Sequence, residues 1–290
     1  MRKRDLPYVL LISLCLVVFA VYRIVDRIGA DTEAPKISVD TQQLEVSVQD
    51  DKSALLQGVT ASDNRDGDVT SSLLVENIQL LGTDGTITVT YAAFDRAGNV
   101  AKAQRQVQYT DYESPKFTLE APLVFAQGSN FDILSVIGAQ DVVDGDIQHR
   151  IRATSLDANP LSTPGNHHVQ FRVTNSLGDT VQKVFPVEVY ASGTYEATLA
   201  LTEYLVYVPV GTAFRAEAYL DTFTVNHETF ALNNVFPEEY SLRTSGKVNT
   251  NTPGVYSVGF TVTYTPKYEG NFQIGRKYTG YSKLIVVVEG

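Results

Sequence analysis

The sequence predicts an all-β protein: three tandem antiparallel sandwiches that follow one N-terminal transmembrane helix. Three observations carry this expectation. An uncharged apolar run occupies the N-terminus, period-two alternation dominates the chain after it, and similar segments recur about 80 residues apart.

Arg2, Lys3 and Arg4 precede Leu6–Tyr22, which contains no charged residue, and Ile24, Val25 and Ile28 extend the run past Arg23. A bilayer-spanning helix needs roughly 20 apolar residues, and an arginine near its end can reach the headgroups. The expected layout is a cytoplasmic tail at 1–5 and a signal anchor over 6–28. The basic end stays in the cytoplasm and everything from residue 29 lies outside the cell. Tyr8 and Tyr22 fall at headgroup depth, and Pro7 lies in the first helical turn, where its missing N–H is harmless. The alternative is a leader peptide cleaved after Ala20, because Val18 and Ala20 fit the small-residue rule. Against it, apolar residues continue beyond that point. Leu14 is too large for a lipoprotein signal ending at Cys15, and the terminal KLIVVVEG reads as neither a second span nor a sorting signal.

The net charge is −10, from 23 basic and 33 acidic residues. Five of the seven charges in the first 28 residues are basic, so the outer part is more acidic still. Nucleic acid is excluded as a partner, since phosphate binding needs clustered Lys and Arg, and anionic surfaces repel such a chain. The single cysteine, Cys15, excludes an intrachain disulfide and a cysteine-based zinc site.

From Thr32 the chain reads as strands. Ile87, Val89 and Tyr91 alternate with threonines, Val169, Phe171 and Val173 repeat the pattern, and Tyr256 to Tyr264 does so again. Each marks a strand with one buried face. EAPKISV at 33–39 matches ESPKFTL at 113–119 and, more weakly, EATLAL at 196–201. DNRDGDVT at 63–70 matches DVVDGDIQ at 141–148, and TYAAFDRAGN lines up with QFRVTNSLGD. Each unit closes on an alternating strand, at 104–109, 181–190 and 281–288. Modules are therefore expected at 29–110, 111–190 and 191–290, each with about seven short strands.

The opening (D/E)xxAPxI, the DxxDGD(V/I)T block and the closing YxAxDxAGN resemble the bacterial immunoglobulin-like repeats of Gram-positive surface proteins and some insecticidal crystal toxins. The first unit matches all three motifs. The second keeps DVVDGDI, whereas the third lacks DGD and carries the insertion TPKYEGNFQIGRKYTGYS, making it a divergent module with a hairpin insertion. The resemblance implies immunoglobulin-like sandwiches that serve as spacers or adhesive modules.

Asp63, Asp66 and Asp68, with Asp141, Asp144 and Asp146, are candidate calcium ligands, because calcium wants several hard oxygens. An EF-hand register fails: with Gly67 at position six, positions one and twelve are Ser62 and Leu73. A turn in which Gly67 and Gly145 supply positive φ and the aspartates cap backbone N–H groups explains the same residues without an ion. No other cofactor is implied. The histidines 149, 167, 168 and 227 do not assemble a metal site: His167 and His168 face opposite sides of a strand, and NHETF lacks the second histidine of HExxH. With no nucleophile elbow, Walker loop or dinucleotide fingerprint, no enzyme is expected.

The third unit holds ten of the 16 tyrosines. Its insertion is locally basic and aromatic, which makes Tyr268, Arg276, Lys277, Tyr278 and Tyr281 a candidate ligand-binding hairpin; an ordinary strand-connecting hairpin fits equally well. The expected function is a membrane-anchored, single-pass bacterial cell-surface protein. Its modules would form a stalk presenting a distal binding domain, with a surface protein or polysaccharide as partner. A carbohydrate- or wall-polymer-binding module and an accessory subunit of an envelope complex are the alternatives.

Overall fold

A computed structural model describes residues 11–21, 31–40, 43–157, 161–232, 239–267 and 274–290. Residues 11–21 are helical, apolar and exposed. Among the described residues no helix is long and apolar enough to cross a membrane. Residues 6–10 and 22–28 of the expected anchor lie outside the described residues. The other described residues are mainly strands and turns, and the chain divides into two compact units, Met1–Tyr112 and Glu113–Gly290.

The first unit contains Lys36–Val39 (β1), Leu44–Val46 (β2), Val59–Asp63 (β3), Gly67–Asp68 (β4), Leu74–Leu80 (β5), Thr86–Phe94 (β6) and Val100–Tyr109 (β7). One sheet has the order β1-β3-β4 and the other β2-β7-β6-β5, with β2 parallel to β7. Period two decides which face is covered: Ile87, Val89 and Tyr91 of β6 are fully buried, while the threonines between them are partly exposed. Buried Tyr91 keeps its hydroxyl satisfied by donating to the Leu55 carbonyl at 2.7 Å.

The second unit opens with Lys116–Leu119 (β8), Val124–Ala126 (β9), Ile137–Asp141 (β10), Gly145–Asp146 (β11), Arg152–Ser155 (β12), Gly165–Thr174 (β13) and Thr180–Tyr190 (β14). Its sheets, β8-β10-β11 and β9-β14-β13-β12, repeat the first unit's order strand for strand. Ala197–Leu201 (β15), Leu205–Pro209 (β16), Leu220–Val225 (β17), Glu228–Ala231 (β18), Tyr240–Ser245 (β19), Gly254–Tyr264 (β20) and Tyr278–Glu289 (β21) follow. Here β15-β17-β18 and β16-β21-β20-β19 take the same order a third time. The two sheets are merged into one of seven strands because β15 also pairs with β21 at Ala197–Gly280 and Thr198–Tyr281. That merger needs Gly280: a side chain there would approach the Ala197 carbonyl and the Phe223 ring within 3.0 Å.

The closing strand differs from its counterparts β7 and β14. Its even residues Tyr278, Leu284, Val286 and Val288 join Phe223, Val258, Phe260 and Val262 in one core. Its odd residues Ile285 and Val287, with Leu205 of β16, join Phe117, Phe171, Phe185 and Val187 of the preceding module in another. The strand is covered on both faces, so KLIVVV is a continuous apolar run rather than the one-sided alternation expected for 281–288. Tyr207 of β16 seals the same seam: its hydroxyl donates to the Phe117 carbonyl at 3.2 Å and accepts from the Phe117 N–H at 2.8 Å. Residues 113–290 thus share buried side chains across the 191–194 connection.

Truncating Ile285 to Ala should destabilise the chain by about 2–5 kcal/mol, with amides of both β13–β14 and β20–β21 losing protection together in hydrogen exchange. Ser282, fully buried with no hydrogen-bond partner for its Oγ, works in the opposite direction. Ser282→Ala should raise the denaturation midpoint by an amount equivalent to about 1 kcal/mol.

Candidate functional site

The two DxxDGD blocks adopt one geometry. Asp63 Oδ1 accepts from the N–H groups of Arg65 and Asp66 at 2.8 and 2.9 Å, and Asp141 Oδ1 from those of Val143 and Asp144 at 3.0 and 2.8 Å. The last aspartate of each block caps the following 3-10 turn: Asp68 takes the Thr70 N–H and Asp146 the Gln148 N–H, both at 2.9 Å. The middle aspartate reaches across the sandwich end. Asp66 Oδ2 accepts from Arg96 N–H at 2.7 Å, and Asp144 accepts from Ser176 N–H at 2.6 Å, from its hydroxyl at 2.7 Å, and from Arg150 at 2.6 Å. Gly67 and Gly145 sit at φ +74° and +71°, as a turn requires. Each block is therefore a clasp between a β-hairpin and the neighbouring turn. Asp66, Asp68, Asp144 and Asp146 are occupied by protein donors and are not assembled as calcium ligands.

The electrostatics agree. Asp63 is held below the usual carboxylate range by the backbone N–H of Asp66 and then of Arg65, and Asp68 by the Thr70 hydroxyl and N–H. For Asp144 burial pushes upward, but Ser176 and Arg150 outweigh it and the net direction is down.

One acidic grouping was missed by the sequence reading. Oxygens of Asp31, Asp63 and Asp95 lie within 4.8 Å of one another. Asp31 precedes β1, Asp63 ends β3 and Asp95 follows β6, so antiparallel pairing brings all three to one end of the first sandwich. Asp95 is 8% exposed and accepts from the Asn99 N–H and side-chain amide at 2.8 and 2.7 Å. Oδ2 of Asp63 is buried and meets no donor. The signal was present in the alignment of FDRAGN with TNSLGD, where Asp95 stands opposite Asn175.

The candidate hairpin resolves differently. Tyr268 lies outside the described residues. Tyr278 is 4% exposed and packs in the third core, so its ring is not a surface platform. The physical reason is its pairing with Tyr264 as the first rung of β20–β21, which sets it on the strand's inward face. Tyr281 stacks on Tyr195 (5.3 Å, 13°) and donates to Glu188 Oε2 at 2.7 Å. Burial, then the Glu188 carboxylate, drive its phenol upward. Lys283, 4% exposed, joins the same Glu188 oxygen at 2.7 Å and Asn166 Oδ1 at 3.1 Å. Tyr281 is a junction residue. Arg276 and Lys277 remain exposed; Arg276 pairs with Glu196 at 2.9 Å and lies 5.2 Å over the Tyr278 ring.

His167 is buried, donating from Nε2 to the Thr163 carbonyl at 2.8 Å; its Nδ1 lies 3.9 Å from Asp157, which exposed His168 also approaches, at 3.5 Å. His227 occupies a two-residue β17–β18 turn with Asn226, at φ 68° and 48°, which is type I′ hairpin geometry.

No family model matches the chain. Over 143 residues it is 29% identical to the pesticidal crystal protein Cry22Aa of Bacillus thuringiensis, a stretch covering 47% of this chain and 19% of that protein. The chain thus matches about a fifth of that relative's length. Among solved structures, it is similar to the CBM51-2 and INT domains of Clostridium perfringens ZmpB, determined in complex with GlcNAc (19% identity, 58% of this chain, 32% of that one, TM-score 0.22). It is also similar to Drosophila N-cadherin EC1-4 (12% identity, 90% and 76% covered, TM-score 0.22). A third is the lipoprotein BT2262 of Bacteroides thetaiotaomicron (12% identity, 59% and 99% covered, TM-score 0.22). The strand order itself defines the class: a chain of β-sandwich repeats.

Because the folded-state pKa of Asp144 lies below its unfolded value, its contribution is present above about pH 5 and disappears as the pH falls through the folded value. Asp144→Asn should therefore lower stability by about 1.5–3 kcal/mol at pH 7, with the difference shrinking toward pH 2 in urea titrations. Lys283→Ala, which leaves Glu188 without its cation, should cost about 3–5 kcal/mol, and Lys283→Met with Glu188→Gln should recover most of it.

Proposed function

We propose that the chain is a membrane-anchored bacterial surface protein whose three immunoglobulin-like modules act as a stalk presenting a distal binding surface. The observation that carries this reading is one strand order used three times, the last two modules being joined by a strand buried on both faces. Such a junction suits a module that holds a surface in place. The basic residues 2–4 ahead of the apolar run at 6–28 support an anchor with the modules outside. The likeness to a pesticidal crystal protein supports placing the modules among bacterial immunoglobulin-like repeats. Arg276 and Lys277, exposed cations on an acidic chain, are the part of the β20–β21 connection that suits an anionic surface protein or polysaccharide.

Cells expressing the full chain with a C-terminal epitope test this reading. External protease should remove the epitope, and replacing 6–28 by an unrelated spanning helix should leave adhesion to purified wall polymer intact. Arg276→Glu with Lys277→Glu should reduce that adhesion several-fold at unchanged surface display. An epitope protected from protease, or adhesion lost on the helix swap alone, would overturn the stalk in favour of a membrane-complex subunit.

A further inference from the structure

The first and second modules place the same backbone at one end of the sandwich but fill it with different chemistry. In the second, Asp141 Oδ2 accepts a hydrogen bond from the Asn175 side-chain amide at 3.0 Å, so the buried carboxylate has a donor on each oxygen. In the first, the residue opposite Asp63 is Asp95, which when ionised can only accept. Asp63 Oδ2 is consequently buried without a donor, and a third carboxylate, Asp31, stands beside it. Asp31, opposite Asp111 of the next repeat, accepts from the Glu33 N–H at 3.2 Å and pairs with Arg65 Nε at 3.9 Å. Three acceptor-only groups at one point repel one another, and a buried lone pair without a donor is destabilising.

The geometry points to a calcium site formed by Asp31, Asp63 and Asp95 at this end of the first module. All the donors are hard oxygens, with no nitrogen or sulfur ligand to favour zinc. Coordination geometry selects within the hard cations. Calcium takes about six to eight oxygens in flexible arrangements, whereas magnesium demands a near-ideal octahedron and keeps several of its waters. Three carboxylates drawn from three separate segments suit the more permissive ion. Water completes the shell, which places the affinity in the range of extracellular modules, Kd about 10⁻⁴–10⁻³ M. This site keeps one of the six aspartates of the DxxDGD blocks and recruits its other two ligands from outside them.

The test uses the full chain in detergent, stripped with EGTA and titrated with calcium chloride by calorimetry and thermal unfolding. One calcium per chain should bind, the unfolding midpoint should rise with calcium, and magnesium should give a response at least tenfold weaker. Asp95→Asn carries the sharpest expectation, because it converts the site to the second module's pair. Calcium binding should be lost while the midpoint in EGTA stays level or rises. Asp31→Asn should weaken binding at least tenfold with the EGTA midpoint unchanged, and Asp146→Asn in the second module should leave the titration as in the wild type. No heat and no shift up to about 10 mM calcium would overturn the site, as would a response kept by Asp95→Asn or abolished by Asp146→Asn.

Discussion

The second unit depends on one strand that has no solvent face. In β7 and β14 the closing strand of a module offers one side to its own core and the other outward. In β21 the outward side has been made apolar, with Ile285 and Val287 where a free-standing sandwich would place polar residues. At the open end of the same face the apolar pattern gives way to Tyr281 and Lys283, and both turn to a single carboxylate, Glu188. A lysine so deeply buried is tolerable only because Glu188 and Asn166 meet it, and the paired charges fix the register of one module against the next. Apolar area supplies the affinity of this seam and the ion pair supplies its alignment.

Much of this architecture was legible in the sequence, for a physical reason. A strand with one covered face must alternate, so Ile87-Val89-Tyr91 and Val169-Phe171-Val173 announced themselves, and the two DxxDGD blocks announced a shared turn. What was not legible is what a residue faces once alternation stops. Tyr278 and Tyr281 have the composition of a contact surface, but strand parity sends one into the core and the other to the seam. Parity could be assigned only once Tyr264↔Tyr278 was known to be the first rung. The acidic grouping escaped for a related reason. Its three residues come from three segments that only the β1–β3 pairing and the β6–β7 turn bring together, and a reading anchored on clustered aspartates naturally favoured those adjacent in sequence.

The same sandwich end also records how one topology tolerates three chemistries. The first module sets three carboxylates there, the second an aspartate and an asparagine, and the third dispenses with the block altogether. At the corresponding hairpin, β17–β18, a two-residue Asn226–His227 turn with both residues at positive φ replaces the longer DxxDGD loop. The longer loop has a task that the tight turn does not: its middle aspartate must span to the neighbouring turn, at Arg96 in one module and Ser176 in the other.

That difference follows from how each module is supported. The first two modules are built from separate sheets, and a polar clasp at the open end ties one sheet to the other. In the third, β15 bonds to both β17 and β21, and the backbone itself joins the two sheets. A clasp there would duplicate a connection already made. The DGD block is therefore absent where the sheets are continuous and present where they are not. Its aspartates are read first as fasteners between sheets, and in the first module Asp95 stands where an asparagine completes the pairing in the second.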